Sequence, residues 1–117
     1  MNNLKERRDR YMRDSVPIRL GGLAANLARV SSFVKKTGNK DAVNGLLEES
    51  KHFIEWTALE TQIEIAAELA ELQITLAVWQ RSWAANCDDE ESRIEISRQA
   101  KQFSDLVLLR SGLLDSK

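Results

Sequence analysis

Between Thr57 and Cys87 the sequence reads TALETQIEIAAELAELQITLAVWQRSWAANC. This segment contains neither Gly nor Pro and is rich in Ala, Leu, Glu and Gln, which are good helix formers. The composition therefore predicts a long helix, and the other elements of the chain are expected to pack around it.

The apolar residues of this predicted helix fall on two rows at helical spacing. The first row contains Ile65, Leu69, Leu72, Leu76, Trp79 and Trp83, and the second contains Leu59, Ile63, Ala66, Ala70, Ile74 and Ala77. At roughly 100° per residue the two rows lie about 120° apart. The opposite arc carries Glu60, Glu64, Glu68 and Glu71. So wide an apolar arc requires more than one neighbour, which makes this the central helix of a bundle.

Composition limits the chain to one soluble domain. Its 117 residues are 43% hydrophobic and 30% charged, and one Pro with five Gly leave little turn material between long helices. No apolar run approaches the ~20 residues of a membrane span. The N-terminus does not resemble a signal peptide, and the single Cys cannot form an internal disulfide, so we expect a cytoplasmic protein.

Charge is distributed unevenly along the sequence. Residues 1–40 carry ten Lys or Arg against three Asp or Glu, whereas residues 41–79 carry one Lys against eight acids. Opposite charges in one small domain most simply compensate each other across helix contacts or across a dimer.

Three further helices are expected. The first runs from about Pro17 to Lys36, ends before Gly38 and has its core row at Leu20, Leu23, Leu27, Val30 and Val34. The second runs from about Lys40 or Asp41 to Glu55. The last follows the acidic run at 88–91, whose carboxylates suit a helix start, and continues to about Leu113. Its core row is Ile96, Ala100, Phe103, Val107 and Leu114.

The connection at 56–60 decides between two architectures. Thr57 and Glu60 have the spacing of a capping box, which predicts a new helix and hence an all-α, antiparallel up-down four-helix bundle. Because no Gly or Pro lies nearby, the alternative is three helices with one long kinked central helix, in a dimer. In either case residues 15–117 form the bundle domain and residues 1–14 a basic arm that is mobile or loosely docked.

Surplus apolar and small residues indicate a binding surface for a partner helix. They form a small-residue row on the first long helix and an apolar turn on the last: Gly21, Ala25, Ala28, Ser32, Leu106, Leu108 and Leu109. We therefore expect a non-enzymatic interaction or scaffold protein that binds a second copy of itself, as a homodimer, or another helical protein.

The N-terminal arm suggests an alternative function. Its basic residues are Lys5, Arg7, Arg8, Arg10 and Arg13, which could contact nucleic-acid phosphates. The arm also carries three acids, and no helix-turn-helix spacing is recognisable, so a nucleic-acid-associated regulator is the second hypothesis.

No arrangement of residues indicates catalysis or a cofactor. Glu49 and His52 have the spacing of a metal-binding pair, but the chain has one His and a di-iron bundle needs two such pairs. Cys87 lies among acids that would not activate a thiol. We expect no catalytic residue, metal or cofactor. Trp79 and Trp83 are interpreted as core residues, with a patch for a partner helix as the functional alternative.

Overall fold

The protein is built from α-helices in the computed structural model, which describes residues 3–115. Within this range five helices follow one another, with no β-strand between them. They are α1 (Asn3–Met12), α2 (Val16–Phe33), α3 (Lys40–Thr57), α4 (Ile63–Asn86) and α5 (Glu90–Ser111). Short 3-10 turns lie at Ala58–Glu60 and Leu113–Asp115. The predicted all-α class is confirmed, and the helix count is five because part of the N-terminal arm is helical.

The chain breaks between α3 and α4 instead of forming one continuous rod. The predicted capping box at Thr57 is wrong, since Thr57 is the buried last residue of α3 and α4 begins only at Ile63. A 3-10 turn separates the helices, and the Thr61 hydroxyl closes it by donating to the Ala58 carbonyl over 2.8 Å. The reversal therefore needs neither Gly nor Pro.

Two glycines mark the points where long helices end or the chain turns. Gly38, which follows α2, has φ 92°, and Gly112, directly after α5, has φ 81°. L-residues with a side chain rarely adopt this left-handed conformation. Gly112 ends α5 at Ser111, two residues before the predicted end, and this leaves Leu114 exposed although the sequence placed it in the core row.

The hydrophobic core lies between the four long helices. Helix α2 packs against α3 and α5, α4 also packs against α3 and α5, and α1 lies against α3. The predicted core row of α2 is confirmed, since Leu20, Leu23, Leu27, Val30 and Val34 are all buried. The Cα radius of gyration of 14.1 Å is close to the ~13 Å of a compact domain of this length.

Helices α2 and α5 approach closely through small polar residues. The Ser97 hydroxyl donates to the Ser31 carbonyl over 2.8 Å, and the Ser104 hydroxyl donates to the Ala24 carbonyl over 2.7 Å. Because the later residue of α2 contacts the earlier residue of α5, the two helices run antiparallel. Ala100 lies between the two serines and is fully buried.

Candidate interaction surface

Helix α4 buries one of its two predicted rows in the core. Five residues of the first row are at most 3% exposed: Leu69, Leu72, Leu76, Trp79 and Trp83. The predicted core position of both tryptophans is thus confirmed. Their indole N–H groups also have partners, because Trp79 donates to Gln99 over 2.8 Å and Trp83 donates to the Lys40 carbonyl over 3.0 Å.

Polar residues on both flanks of this inner row attach α4 to its neighbours. On the α3 side Gln80 donates to Glu48 over 3.1 Å, and this hydrogen bond lowers the pKa of Glu48. On the α5 side Arg110 binds Glu68 through two hydrogen bonds of 2.8 and 2.9 Å, which lower the pKa of Glu68. The contacts on these flanks orient the remaining face of α4 away from the core.

That remaining face is an apolar stripe exposed to solvent. We call it the outer stripe of α4, and it contains Ile63, Ala67, Ala70, Ile74, Ala77 and Val78, all exposed. The exposed fraction is 79% for Ile63, 67% for Ile74 and 57% for Val78. It includes most of the second predicted row, whose Leu59 is also exposed on the preceding turn. Ala66, another member of that row, is half-buried, but no helix among the residues described covers the outer stripe.

A groove between α4 and α5 lies beside the outer stripe. Its volume is about 270 Å³, and Ile74 and Val78 line it together with Trp79 and Ile96. Trp79 also contacts Phe103 edge-on, with ring centroids 6.1 Å apart. One edge of the stripe is therefore concave.

The predicted small-residue row on α2 divides into two parts. Gly21 already has a neighbour within the chain, because a Cβ at this position would lie 2.7 Å from the Leu113 side chain. Ala25, Ala28 and Ser32 are exposed. The close helix contact of α2 is formed instead by the adjacent residues Ala24 and Ser31. Partner binding by the predicted row remains a prediction.

The predicted apolar turn of α5 is mostly used within the chain. Leu106 lines a small cavity of about 10 Å³ between α2, α4 and α5, and Leu108 packs against the core. Leu109 is 54% exposed. Of these three candidate residues, Leu109 offers the most surface to a partner.

The basic residues of the N-terminal arm are exposed, and two of them are paired with acids. Lys5 binds Asp9 over 3.1 Å, and Arg7 binds Glu49 of α3 over 3.1 Å. Arg8, Arg10 and Arg13 form no ion pair with any residue in the described range. Nucleic-acid binding by this arm remains a hypothesis.

Tyr11 anchors α1 to the rest of the molecule. Its ring stacks on Phe53 with the centroids 3.9 Å apart, and its hydroxyl donates to the Arg19 carbonyl over 2.8 Å. Burial raises the pKa of Tyr11 to about 12. The sequence signal for this anchor is weak, since Tyr11 is one aromatic residue in a polar segment.

Arg19 is a buried charge that sequence reasoning did not identify. Its guanidinium donates from Nε to the Asp14 carbonyl over 2.9 Å and forms an ion pair with Glu60 at 3.0 Å. The remaining nitrogen, Nη1, is buried without a partner in the described structure. These contacts connect the start of α2 to the turn after α3. Arg19 is buried although its position in α2 does not belong to the apolar core row.

Glu49 and His52, the candidate metal-binding pair, contact different partners in the structure. His52 stacks on Trp56 and lies 3.5 Å from both Glu48 and Glu55, whereas Glu49 accepts hydrogen bonds from Arg7 and Asn26. Asp89 in the acidic run accepts a hydrogen bond from the Ser92 backbone N–H, as expected for a helix cap.

The chain matches no protein-family model, no curated protein and no solved structure. None of the helices across residues 3–115 combines the length and the apolar content that a membrane crossing requires.

Proposed function

We propose that this protein is a non-enzymatic interaction protein that self-associates through the outer stripe of α4. The observation that carries the proposal is the orientation of α4, which buries one apolar face and exposes a second one. Ile63, Ile74 and Val78 are the large apolar side chains on the exposed side. A continuous apolar stripe differs from single exposed apolar residues, which occur on every protein surface.

Burial of this stripe by a partner is favourable. Removing apolar surface from water contributes about 25 cal/mol per Å², and a large exposed side chain such as Ile74 keeps most of its surface in water in the single chain. In a symmetric dimer both copies contribute the same stripe, so each exposed residue is buried once in each copy and a single helix face can supply a substantial interface. The homodimer is therefore the assembly we propose, and another helical protein is the alternative partner.

We also propose that α2 to α5 form an antiparallel up-down four-helix bundle, to which α1 is added. Pairs of contacts support this arrangement. Glu68 and Arg110 connect the start of α4 to the end of α5, and Trp83 connects the end of α4 to Lys40 at the start of α3. In such a bundle each helix has one outward face, and in α4 that face is apolar.

The single Cys, which excludes an internal disulfide, supports a cytoplasmic location.

Self-association is tested by measuring the mass in solution of the unaltered protein and of two variants, Ile74→Glu and Ile94→Glu. Light scattering is expected to give twice the chain mass of 13.3 kDa for the unaltered protein at micromolar concentration. Ile74→Glu is expected to restore the single-chain mass, because a charge in the stripe would be desolvated in the dimer. Ile94→Glu is the matched control, since Ile94 has a similar exposed fraction of 59% but lies on α5 outside the groove.

Circular dichroism must show that the variants are folded, which is expected because both side chains are exposed. A single-chain mass for the unaltered protein at every concentration would contradict the proposal. Dissociation by Ala25→Glu, with no effect of Ile74→Glu, would move the interface to the predicted small-residue row of α2.

A further inference from the structure

We infer that two copies pair α4 with α4 in antiparallel orientation, crossing between Ala70 and Ile74. This inference rests on the proposed self-association and specifies its geometry. It follows from the spacing of the stripe and from the unpaired charges beside it.

The outer stripe has the heptad spacing of a helix–helix seam. Ile63, Ala70 and Ala77 are seven residues apart, and Ala67, Ile74 and Arg81 form a second series with the same spacing. Together they alternate steps of four and three residues, which keeps one side of a helix against a partner helix. From Ile63 to Arg81 the seam is about 27 Å long. Alanines at its centre allow the two backbones to approach closely.

Three charged residues flank or end this seam. Glu64 and Glu71 lie along the edge that faces α5, and Arg81 lies on the seam at its C-terminal end. Within the described part of the chain, none of the three side chains forms an ion pair or a side-chain hydrogen bond. The seam therefore has negative charge in its N-terminal half and positive charge at its C-terminal end.

Antiparallel pairing makes Arg81 and Glu64 complementary, while Glu71 of each copy stays at the solvent-exposed edge of the seam. If the helices cross between Ala70 and Ile74, Ile63 of one copy lies opposite Arg81 of the other. Arg81 then extends its aliphatic stem over Ile63 and its guanidinium toward Glu64 of the second copy. The two-fold axis creates this contact twice.

Parallel pairing is disfavoured by the same charges. It would place Arg81 of one copy directly against Arg81 of the other on the seam, with no acid at the same level. Like charges in contact at an interface oppose association.

Disulfide trapping tests the orientation directly. In a Cys87→Ser background, Ala67→Cys and Ala77→Cys are made in separate chains, one of which carries a mass tag. Antiparallel pairing brings Ala67 opposite Ala77, so oxidation of the mixture is expected to produce cross-linked dimers of one tagged and one untagged chain. Neither variant alone is expected to cross-link, because like positions lie about 15 Å apart along the axis.

Cross-linking of Ala67→Cys with itself, in a protein that still has the mass of a dimer, would overturn the antiparallel geometry and leave self-association intact. A single-chain mass for the unaltered protein would instead contradict the proposed function.

Charge reversal supplies an independent test. Arg81→Glu is expected to raise the dimer Kd by about tenfold or more, because two symmetric ion pairs become repulsive. Adding Glu64→Arg to the same chain is expected to restore the affinity. Arg8→Glu is the control, since Arg8 is exposed on α1 away from the seam. Failure of the double variant to recover affinity would contradict the inferred charge contact.

Discussion

The contact between α2 and α5 and the contact between α4 and α5 are built from residues of different size. Ala24, Ser31, Ser97 and Ser104 bring α2 and α5 close enough for hydroxyl-to-carbonyl hydrogen bonds of 2.7–2.8 Å. Between α4 and α5 the bulky Trp79 spans the space, and a groove of about 270 Å³ remains beside it.

Small residues lie where helices of this protein meet most closely. Within the chain this occurs at α2 and α5. The outer stripe of α4 has a similar set of small residues, with Ala67, Ala70 and Ala77 on its surface, and the described chain provides no helix to cover it. We therefore interpret the stripe as a helix contact that is completed by a second copy.

The largest difference in the free energy of unfolding is expected between substitutions on the inner and the outer face of α4. Leu76→Ala is expected to lower the free energy of unfolding by about 2–5 kcal/mol, because Leu76 is fully buried and its removal leaves a cavity. Ile74→Ala, two residues away and exposed, is expected to change it by less than about 0.5 kcal/mol in the monomer. Urea unfolding at low protein concentration measures both. Equal losses would contradict the assignment of inner and outer faces.

A smaller effect is expected from overfilling the α2–α5 contact. Ala100→Leu adds a branched side chain where the exposed fraction is zero, and we expect it to lower the free energy of unfolding by about 1–3 kcal/mol. Ala25→Leu makes the same change at an exposed position of α2 and is the matched control. If thermal unfolding showed no difference between the two variants, the close approach of α2 and α5 would be wrong.

The smallest effect concerns the docking of α1, which we expect to weaken only at high pH, when Tyr11 loses its proton. Tyr11 is the sole tyrosine of the chain, so its titration can be followed directly. Absorbance at 295 nm should report deprotonation with a midpoint near the folded pKa of about 12, above the ordinary value of 10.0. Because the folded pKa is raised, docking of α1 retains its full strength below about pH 10 and weakens as the pH rises toward 12. A midpoint near 10 in the folded protein would show that Tyr11 is not buried against Phe53.

Helix positions and the core row of α2 could be predicted from the sequence, because apolar spacing and the glycines at the turns report them directly. Periodicity also located both apolar faces of α4. It could not decide which face is exposed, since both rows satisfy the same spacing. The larger side chains of the inner row, including Trp79 and Trp83, fill the interior, whereas the outer row is rich in alanine.

Other features depend on tertiary contacts that spacing does not encode. Ser31, Ser97 and Ser104 are polar, so a search for apolar rows excludes them although all three are buried. Gly21 seemed to offer a surface to a partner, but the turn after Gly112 returns Leu113 to it. The buried charge of Arg19 likewise depends on Glu60, which lies 41 residues away in the sequence.

Contact between the outer stripes of two copies can be observed by nuclear magnetic resonance on an equal mixture of isotope-labelled and unlabelled chains. Filtered nuclear Overhauser spectra detect only protons that belong to different copies. We predict intermolecular signals at the methyl groups of Ile63 and Ile74, and none at Ile94. Intermolecular signals confined to other faces, or none at millimolar concentration, would contradict self-association through the outer stripe of α4.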